Sequence, residues 1–326
     1  MTGTRFTTGR RLLLAAGAGL AAWPARAQWV PPRQVRLVVP FTPGGGADTT
    51  ARLFAPAFST VLGQPCVVEN RGGAGGTIGA QEVARSAPDG TTLMVDAANQ
   101  AVAPFIFRNL GFDYATAFTP ISRVTVYPLV LVVRPDSPFR NLADLLNRAK
   151  GAPGRVSYSS SGNAVSNHIA TAVLASRAKV EFTHAPYRGG GPALQAVLAG
   201  DVDFGFATVA SAAALVLDGR LRALAASTAQ RVAALSDVPT VAEQGFPGYD
   251  QAEWNGVYGP AGLPEAAVVR VHEACRAALA DPGVQQRLAA IGAIGLGTAP
   301  ADFAAYLSRE RAAMEVLVRE AGITAD

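Results

Sequence analysis

The chain has little of what catalytic or cofactor chemistry usually needs. Its 326 residues include three histidines, His168, His184 and His272, and two cysteines, Cys66 and Cys275. The histidines lie far apart in sequence, and no His-Glu-x-x-His helix is present to hold zinc. No metal and no cofactor is expected. Two cysteines could pair in an oxidising compartment, but nothing in their spacing requires it. There is no Gly-x-Ser-x-Gly nucleophile elbow. No glycine turn runs into Gly-Lys-Ser/Thr, which excludes a P-loop, and none has dinucleotide-binding spacing with an acid about 20 residues on. Charge is sparse, at 16% of residues. Residues 1–27 carry Arg5, Arg10, Arg11 and Arg26 and no acid; without them 24 Lys+Arg face 24 Asp+Glu. A basic pI of that origin is no argument for nucleic-acid binding.

Long apolar runs are missing too. The stretch from Leu12 to Ala22 is apolar but too short to span a bilayer. It lies between Arg10-Arg11 and the small-x-small site Ala25-Arg26-Ala27, so residues 1–27 read as an export signal cleaved near Gln28. The paired arginines and the Gly/Ala-rich core resemble a twin-arginine signal, although Gly9 rather than Ser or Thr precedes the pair.

What the chain does have is glycine, 34 residues of it, placed in a pattern. Val35–Phe41 is a short apolar run, Thr42–Gly46 a glycine turn, and Thr49–Leu62 a helical stretch. A helix start has backbone N–H groups without intrahelical partners and a partly positive end, and glycine lets a ligand approach it closely. Alone, that turn fits a phosphate, a dinucleotide or nothing. The motif recurs. A strand at Cys66–Asn70 leads into Gly72–Thr77 and a helix at Ile78–Ser86, and Thr92–Asp96 is the next strand. After an irregular, aromatic-rich Phe105–Pro120, Leu129–Val133 is a continuous apolar strand and Asn141–Lys150 a helix. A second alternation then places Ser159–Asn163 and Tyr187–Pro192 between strands (Val156–Ser159, Val180–Ala185) and helices (Ala164–Arg177, Ala193–Ala199). A further strand ends at Ala207, a helix covers Thr208–Leu217, and Leu221–Ala226 is a strand. The last part holds one short run, Trp254–Tyr258, and three helices, Glu265–Leu279, Pro282–Ile291 and Pro300–Glu320. The pattern predicts an α/β chain of two βαβ-type halves, each with a mostly parallel central sheet flanked by helices. Ligands of such sheets bind at the carboxyl ends of strands. If the halves face each other, four turns converge on one cleft suited to carboxylates held by N–H groups and hydroxyls.

Plainer roles stand beside these. Asp48 at a helix start is a natural cap, and His168, one and a half turns into its helix, either faces the cleft or packs. Asp201 and Asp203 are turn acids. Trp254 and Tyr258 are core or cleft wall. An exported α/β hydrolase or transferase using Ser160 or Ser161 is an alternative of another class, which a histidine near either serine would favour.

Several motifs resemble one family. Phe41-x-x-Gly44-Gly45-x-x-Asp48 and Val68-Glu69-Asn70-Arg71-x-Gly73-Ala74-Gly75-Gly76 are similar to the first two loops of Bug-type periplasmic solute-binding receptors of tripartite tricarboxylate transporters. Asp113-Tyr114 with Phe118-Thr119-Pro120-Ile121 is similar to their connector. Pro186-Tyr187-Arg188-Gly189, Ala199-Gly200-x-Val202-Asp203, Val238-Pro239-Thr240-Val241-x-Glu243-x-Gly245, Trp254-x-Gly256 and Pro260-Ala261-Gly262-x-Pro264 follow in the family's order. The resemblance implies a two-domain periplasmic-binding-protein fold of the Venus-flytrap type II kind. Domain 1 would hold residues 28–133 and 257–326, and domain 2 residues 134–256. It implies a small-molecule carboxylate held by Thr42, Gly45, Gly46, Asp48, Gly75, Gly76, Thr77 and Ala98 from domain 1. From domain 2 it implies Ser161, Asn163, His168, Tyr187, Gly189 and Ala207. It further implies a non-enzymatic, monomeric receptor that delivers its ligand to membrane permease subunits, or else a sensor that reports ligand state to a signalling partner. The family commonly has an aspartate where this chain has Ala207, so a plain or aromatic carboxylate is expected rather than an amino acid.

Overall fold

The computed structural model describes residues 1–4 and 29–321, apart from 164 and 188. The expected export signal, with its arginine pair and cleavage site, falls on 5–28 and so outside the described residues, as does Arg188 of the fourth turn.

The first sheet grows from β1 (Val35–Val39), which pairs in parallel with β2 (Cys66–Asn70) on one side and β3 (Thr92–Ala97) on the other. Side chains alternate across a strand. Val35, Leu37 and Val39 therefore enter one core, while Val38 enters another on the opposite face. The first core is closed by α1 (Gly46–Leu62), through Ala51, Phe54, Phe58 and Leu62, and by α8 (Glu265–Ala280), through Ala267, Val271, Ala274 and Cys275. The opposite face is covered by α2 (Thr77–Ala84), α3 (Asn99–Ile106) and α10 (Pro300–Ala321). Cys275 is fully buried in the first core, and both cysteines are free thiols.

One strand ties the molecule together. β4 (Phe118–Val133) is 16 residues long, about 50 Å when extended. Phe118–Pro128 pairs antiparallel with β9 (Ala252–Pro260), which itself pairs antiparallel with β3. From Leu129 onward β4 pairs instead with β7 (Phe204–Thr208) and β8 (Arg222–Ala226) in a second sheet. Pro128, which has no N–H for a ladder, sits at the change of partner. The second sheet continues in parallel through β5 (Val156–Ser160) to β6 (Phe182–Pro186). Its helices are α4 (Leu142–Gly151), α5 (Ser166–Ala178), α6 (Gly190–Ala199) and α7 (Val209–Leu217). Leu129, Leu131 and Val133 enter the core under α4 and α5, whereas Val130 and Val132 enter the core under α6 and α7. This both-sided burial explains the unbroken apolar run of that segment. Each sheet is mixed: β9 and the two-residue strand at Ile294–Gly295 run against the others in the first, and β4 runs against the others in the second. The expected limit at residue 133 is the end of β4, and the expected return at 257 falls inside β9, all of which pairs in the first sheet.

Three features differ from the sequence expectation. Phe105–Pro120 is not irregular throughout: α3 runs into it and β4 begins at Phe118. Helix α3 is buried over Asn99–Ala103, so it shows no polar face to give a helical period. The early part of β4 is interrupted by Pro120 and by two register shifts, which break the alternation that marks a strand. Finally, β10 (Ile294–Gly295), which follows α9 (Pro282–Ala290), adds two residues to the edge of β4 and is too short for any sequence pattern.

Candidate functional site

A cleft of about 730 Å³ lies between the two sheets, within the size range of small-molecule sites. Five helices present their first turns to it: α1 through Gly45, Gly46 and Ala47, α3 through Ala98 and Asn99, α5 through Val165, Ser166 and Asn167, α6 through Gly189–Gly191, and α7 through Thr208, Ala210 and Ser211. No Lys or Arg lines it among the described residues. Positive potential in the cleft therefore comes from peptide N–H groups and aligned helix dipoles.

The loop ahead of α1 is held from behind by Asp48. Its carboxylate accepts from Gly44 N–H at 2.9 Å, Asn70 Nδ2 at 2.9 Å and Arg52 Nε at 3.0 Å. Burial opposes its charge, but the hydrogen bonds from Arg52, Gly44 and Asn70 outweigh it and hold the carboxyl below its ordinary range. Asp48 thus fixes Thr42–Gly46 to the end of β2 without facing the cleft. The second loop makes a run of left-handed residues, with φ of 134° at Gly73, 45° at Ala74, 61° at Gly75 and 94° at Gly76. A side chain at Gly75 would strike the Phe107 ring, and one at Gly76 would meet Asn99 Nδ2. Thr77 Oγ1 donates to Ala74 O at 2.8 Å, so its hydroxyl is used inside the loop.

Of the residues expected from sequence, Thr42, Gly45, Gly46, Gly75, Ala98, Ser161, Asn163 and Gly189 line the cleft. Asp48, Gly76, Thr77, His168, Tyr187 and Ala207 stand behind its wall. His168 is buried, 4.1 Å from the His184 ring and 6.3 Å from Tyr158 between ring centroids. Burial, then the neighbouring His184, pushes His168 down to about 4, so it stays neutral at physiological pH. Tyr187 packs against the core under α6 and α7, to which Ala207 belongs. Ser161 is positioned by Asn167, whose Oδ1 accepts from its N–H at 3.2 Å and its Oγ at 3.1 Å.

Ser160 Oγ does lie 2.6 Å from His184 Nε2, the pairing that would favour a hydrolase. Ser160 is fully buried, however, and its Oγ also donates to Gly162 O at 2.7 Å. A nucleophile must reach its substrate. Here the hydroxyl braces the turn after β5 from inside.

The cleft residues that sequence reasoning missed include two register partners on adjacent strands, Tyr127 of β4 and Glu253 of β9. Tyr127 Oη donates to Gly46 O at 3.2 Å and lies 2.9 Å from Thr50 Oγ1. Thr50 and Thr125 in turn donate to Asn255 Oδ1, at 3.1 and 3.2 Å. This buried cluster joins the first turn of α1 to both connecting strands. Glu253 lies so close to Gly46 that a methyl there would collide with its Oε1. Burial pushes its carboxyl up to about 7. The available signal was a lone acid opening an apolar strand, Glu253-Trp254-Asn-Gly-Val-Tyr258.

Residues 50–323 match the family model of the tripartite tricarboxylate transporter family receptor. The chain belongs to this family. BugT of Bordetella pertussis (strain Tohama I / ATCC BAA-589 / NCTC 13251) is 33% identical over 309 residues, covering 94% of each chain. MatC from Rhodopseudomonas palustris, solved with bound malate, superposes with a TM-score of 0.78 at 33% identity, covering 88% of this chain and 99% of its own. A second R. palustris protein, solved with adipate, gives a TM-score of 0.80 at 35% identity, covering 90% and 99%. Members of this family are solute-binding receptors, and the chain is a receptor rather than an enzyme. Among the described residues no helix is long and apolar enough to cross a membrane.

Proposed function

We propose that the chain captures an organic carboxylate in the cleft and delivers it, from the periplasm, to the membrane subunits of a tripartite tricarboxylate-type transporter. One observation carries the reading: five helix starts converge on a cleft with no lining Lys or Arg among the described residues. Such a site stabilises an anion through N–H groups that are already in place. The malate and adipate of the two R. palustris structures are carboxylates of suitable size. In this reading one carboxylate sits on Thr42, Gly45, Gly46, Gly75 and Ala98, while Ser161, Asn163 and Gly189 meet the distal end. Asp48, Gly76, Thr77, His168, Tyr187 and Ala207 shape these loops from behind. Two lobes close on the ligand as a monomer, bending where β4 changes sheets at Pro128–Leu129 and where the chain returns into β9.

Thermal-shift screening of aliphatic and aromatic mono-, di- and tricarboxylates tests this directly. A ligand at a hundred times its Kd adds about 2.7 kcal/mol of stability. A panel in which amines or sugars stabilise the protein and no carboxylate does would overturn the reading.

A further inference from the structure

Among the described residues the cleft is lined by one carboxylic acid, which the carboxylate reading does not use. Glu253 lines the cavity, touches the first residue of α1, and makes no hydrogen bond or ion pair with a described residue. Its place is fixed by the β-ladder, because Tyr127 opposite is tied to Thr50 and to Gly46 O. The side chain therefore stands at the floor of the cleft, beside the change of sheets, at the same helix start that would seat a ligand carboxylate.

The described groups facing Glu253 offer no counter-charge. From β4 it meets the Tyr127 phenol, which burial pushes up to about 12 and which stays neutral. From α1 it meets peptide groups at Gly46, since Asp48 on that helix is turned away toward Gly44, Arg52 and Asn70. Across the cleft, α5 presents Ser166 and Asn167, and α7 presents Ser211 with Thr208 ahead of it; none of these titrates. A ligand carboxylate on α1 would then bring a second negative group next to Glu253. Two carboxylates that share one site do not both ionise; one proton is held between them. Burial already favours the protonated form of Glu253 in the empty cleft, up to about pH 7.

We propose that Glu253 is the specificity-determining residue of the cleft: on ligand binding it takes one proton from solvent and donates it in a hydrogen bond to the carboxylate seated on α1. This rests on the carboxylate reading and sharpens it. The preferred ligand presents a bare carboxylate to Glu253, and an ammonium group at that point is not required. With the ligand fully ionised, affinity is steady in mild acid and falls as pH rises past the titration of the empty site. Between pH 6 and pH 8 the loss is about tenfold, from linkage to a group titrating near neutrality.

The test uses the mature chain with adipate, malate, citrate and benzoate as probes. Any that stabilises it at pH 6 goes to calorimetry at pH 6 and pH 8, in buffers of different ionisation enthalpy. The wild type is expected to bind about tenfold more weakly at pH 8, with proton uptake there approaching one per ligand. E253Q, which keeps a donor and cannot titrate, is expected to bind within about twofold at both pH values with no uptake. Its melting curve shows whether it is folded, and the wild-type proton count stands without it. Wild-type binding at pH 8 without proton uptake overturns the proposal and leaves the carboxylate reading standing. So does uptake that persists in E253Q. A folded E253Q that loses the ligand at both pH values also overturns it, because the ligand would then be the donor to an ionised Glu253. If no probe or other carboxylate binds at pH 6, the carboxylate reading fails and the proposal falls with it.

Discussion

Placing a methyl group at the start of α1, as in Gly46→Ala, separates binding from folding. Gly46 is the first residue of the helix and is absent from the residues with positive φ, so alanine suits its backbone. Gly-to-Ala changes at compatible positions stabilise by about 0.4–1 kcal/mol, chiefly by restricting the unfolded chain. The new Cβ would collide with Oε1 of Glu253 and lie 3.4 Å from Cε2 of Tyr127. The Glu253 end is flexible and can turn away, at a cost of about 0.5–1.5 kcal/mol if it is driven off its rotamer. These effects nearly cancel, and the melting temperature of the empty protein should stay within about 4 °C of wild type. Binding should not survive so well. The methyl and the displaced carboxylate crowd the N–H groups of Gly46 and Ala47. A charge-assisted hydrogen bond contributes roughly 1.5–3 kcal/mol, so loss of one weakens binding by about tenfold or more. Calorimetry with whichever carboxylate stabilises the wild type, alongside a thermal melt, reads both quantities. A variant that melts normally and binds within twofold of wild type would refute the seat on α1.

Three further changes probe the frame around the cleft. Asp48→Asn should cost about 1–3 kcal/mol at pH 7 through lost hydrogen bonds to Gly44, Asn70 and Arg52. The Asp48 carboxyl is held below its ordinary range when folded, so its contribution is present above its unfolded pKa and is lost as pH falls through the folded value; denaturation at pH 3 should show a much smaller difference between the two proteins. Asp96 behaves oppositely. Burial raises it to about 7, so the folded chain holds its proton in the range where the unfolded chain has released it, and the associated stability, up to about 4 kcal/mol, drains away as pH rises toward 7. Asp96→Asn should flatten that slope in denaturant titrations at pH 5 and pH 8, and an unchanged slope would show that Asp96 is not its source. Ser160→Ala should lower stability by about 1–3 kcal/mol, because Gly162 O and His184 lose a buried partner. Its ligand affinity should stay within about twofold, and a large loss measured by calorimetry would put Ser160 in the site rather than behind it.

The alternation of short apolar runs and glycine turns was enough to read the α/β layers, because strands buried on both faces and helices starting at glycine leave strong local signals. Cys66–Asn70 is a strand with the expected limits. The joining of the two sheets left no such signal. In β4 the apolar Leu129–Val133 stood out, while Phe118–Pro128 was hidden by its prolines and by side chains that meet β9 more than 120 residues away. Partners that distant leave no local period. The same limit applies to side chains at the turns. A motif marks Asp48 as important, but only the fold shows that its carboxylate faces Gly44, Asn70 and Arg52 rather than a ligand.

Glu253 shows why loop motifs alone do not describe this cleft. Ala207, where the family commonly has an aspartate, points to a plain or aromatic carboxylate rather than an amino acid and draws attention to the second sheet. In the structure Ala207 pairs with Val130 and belongs to the core beneath α6 and α7, so its side chain shapes the wall. The lining acid comes from the other sheet, on β9, opposite Tyr127 and one position before the pairing at Pro128 where β4 leaves that sheet. Its effect depends on its neighbours. Beside an arginine it would be a plain counter-ion and would repel ligand carboxylates; beside Gly46 and Tyr127, with no cation lining the cleft among the described residues, it can accept a proton and become a donor. An acid and an anion-binding helix start are opposed while both the acid and the ligand are ionised, and they become complementary once one proton is shared. Charge at the floor of the cleft thus depends on ligand and pH together, at the residue nearest the strands about which the two lobes would close.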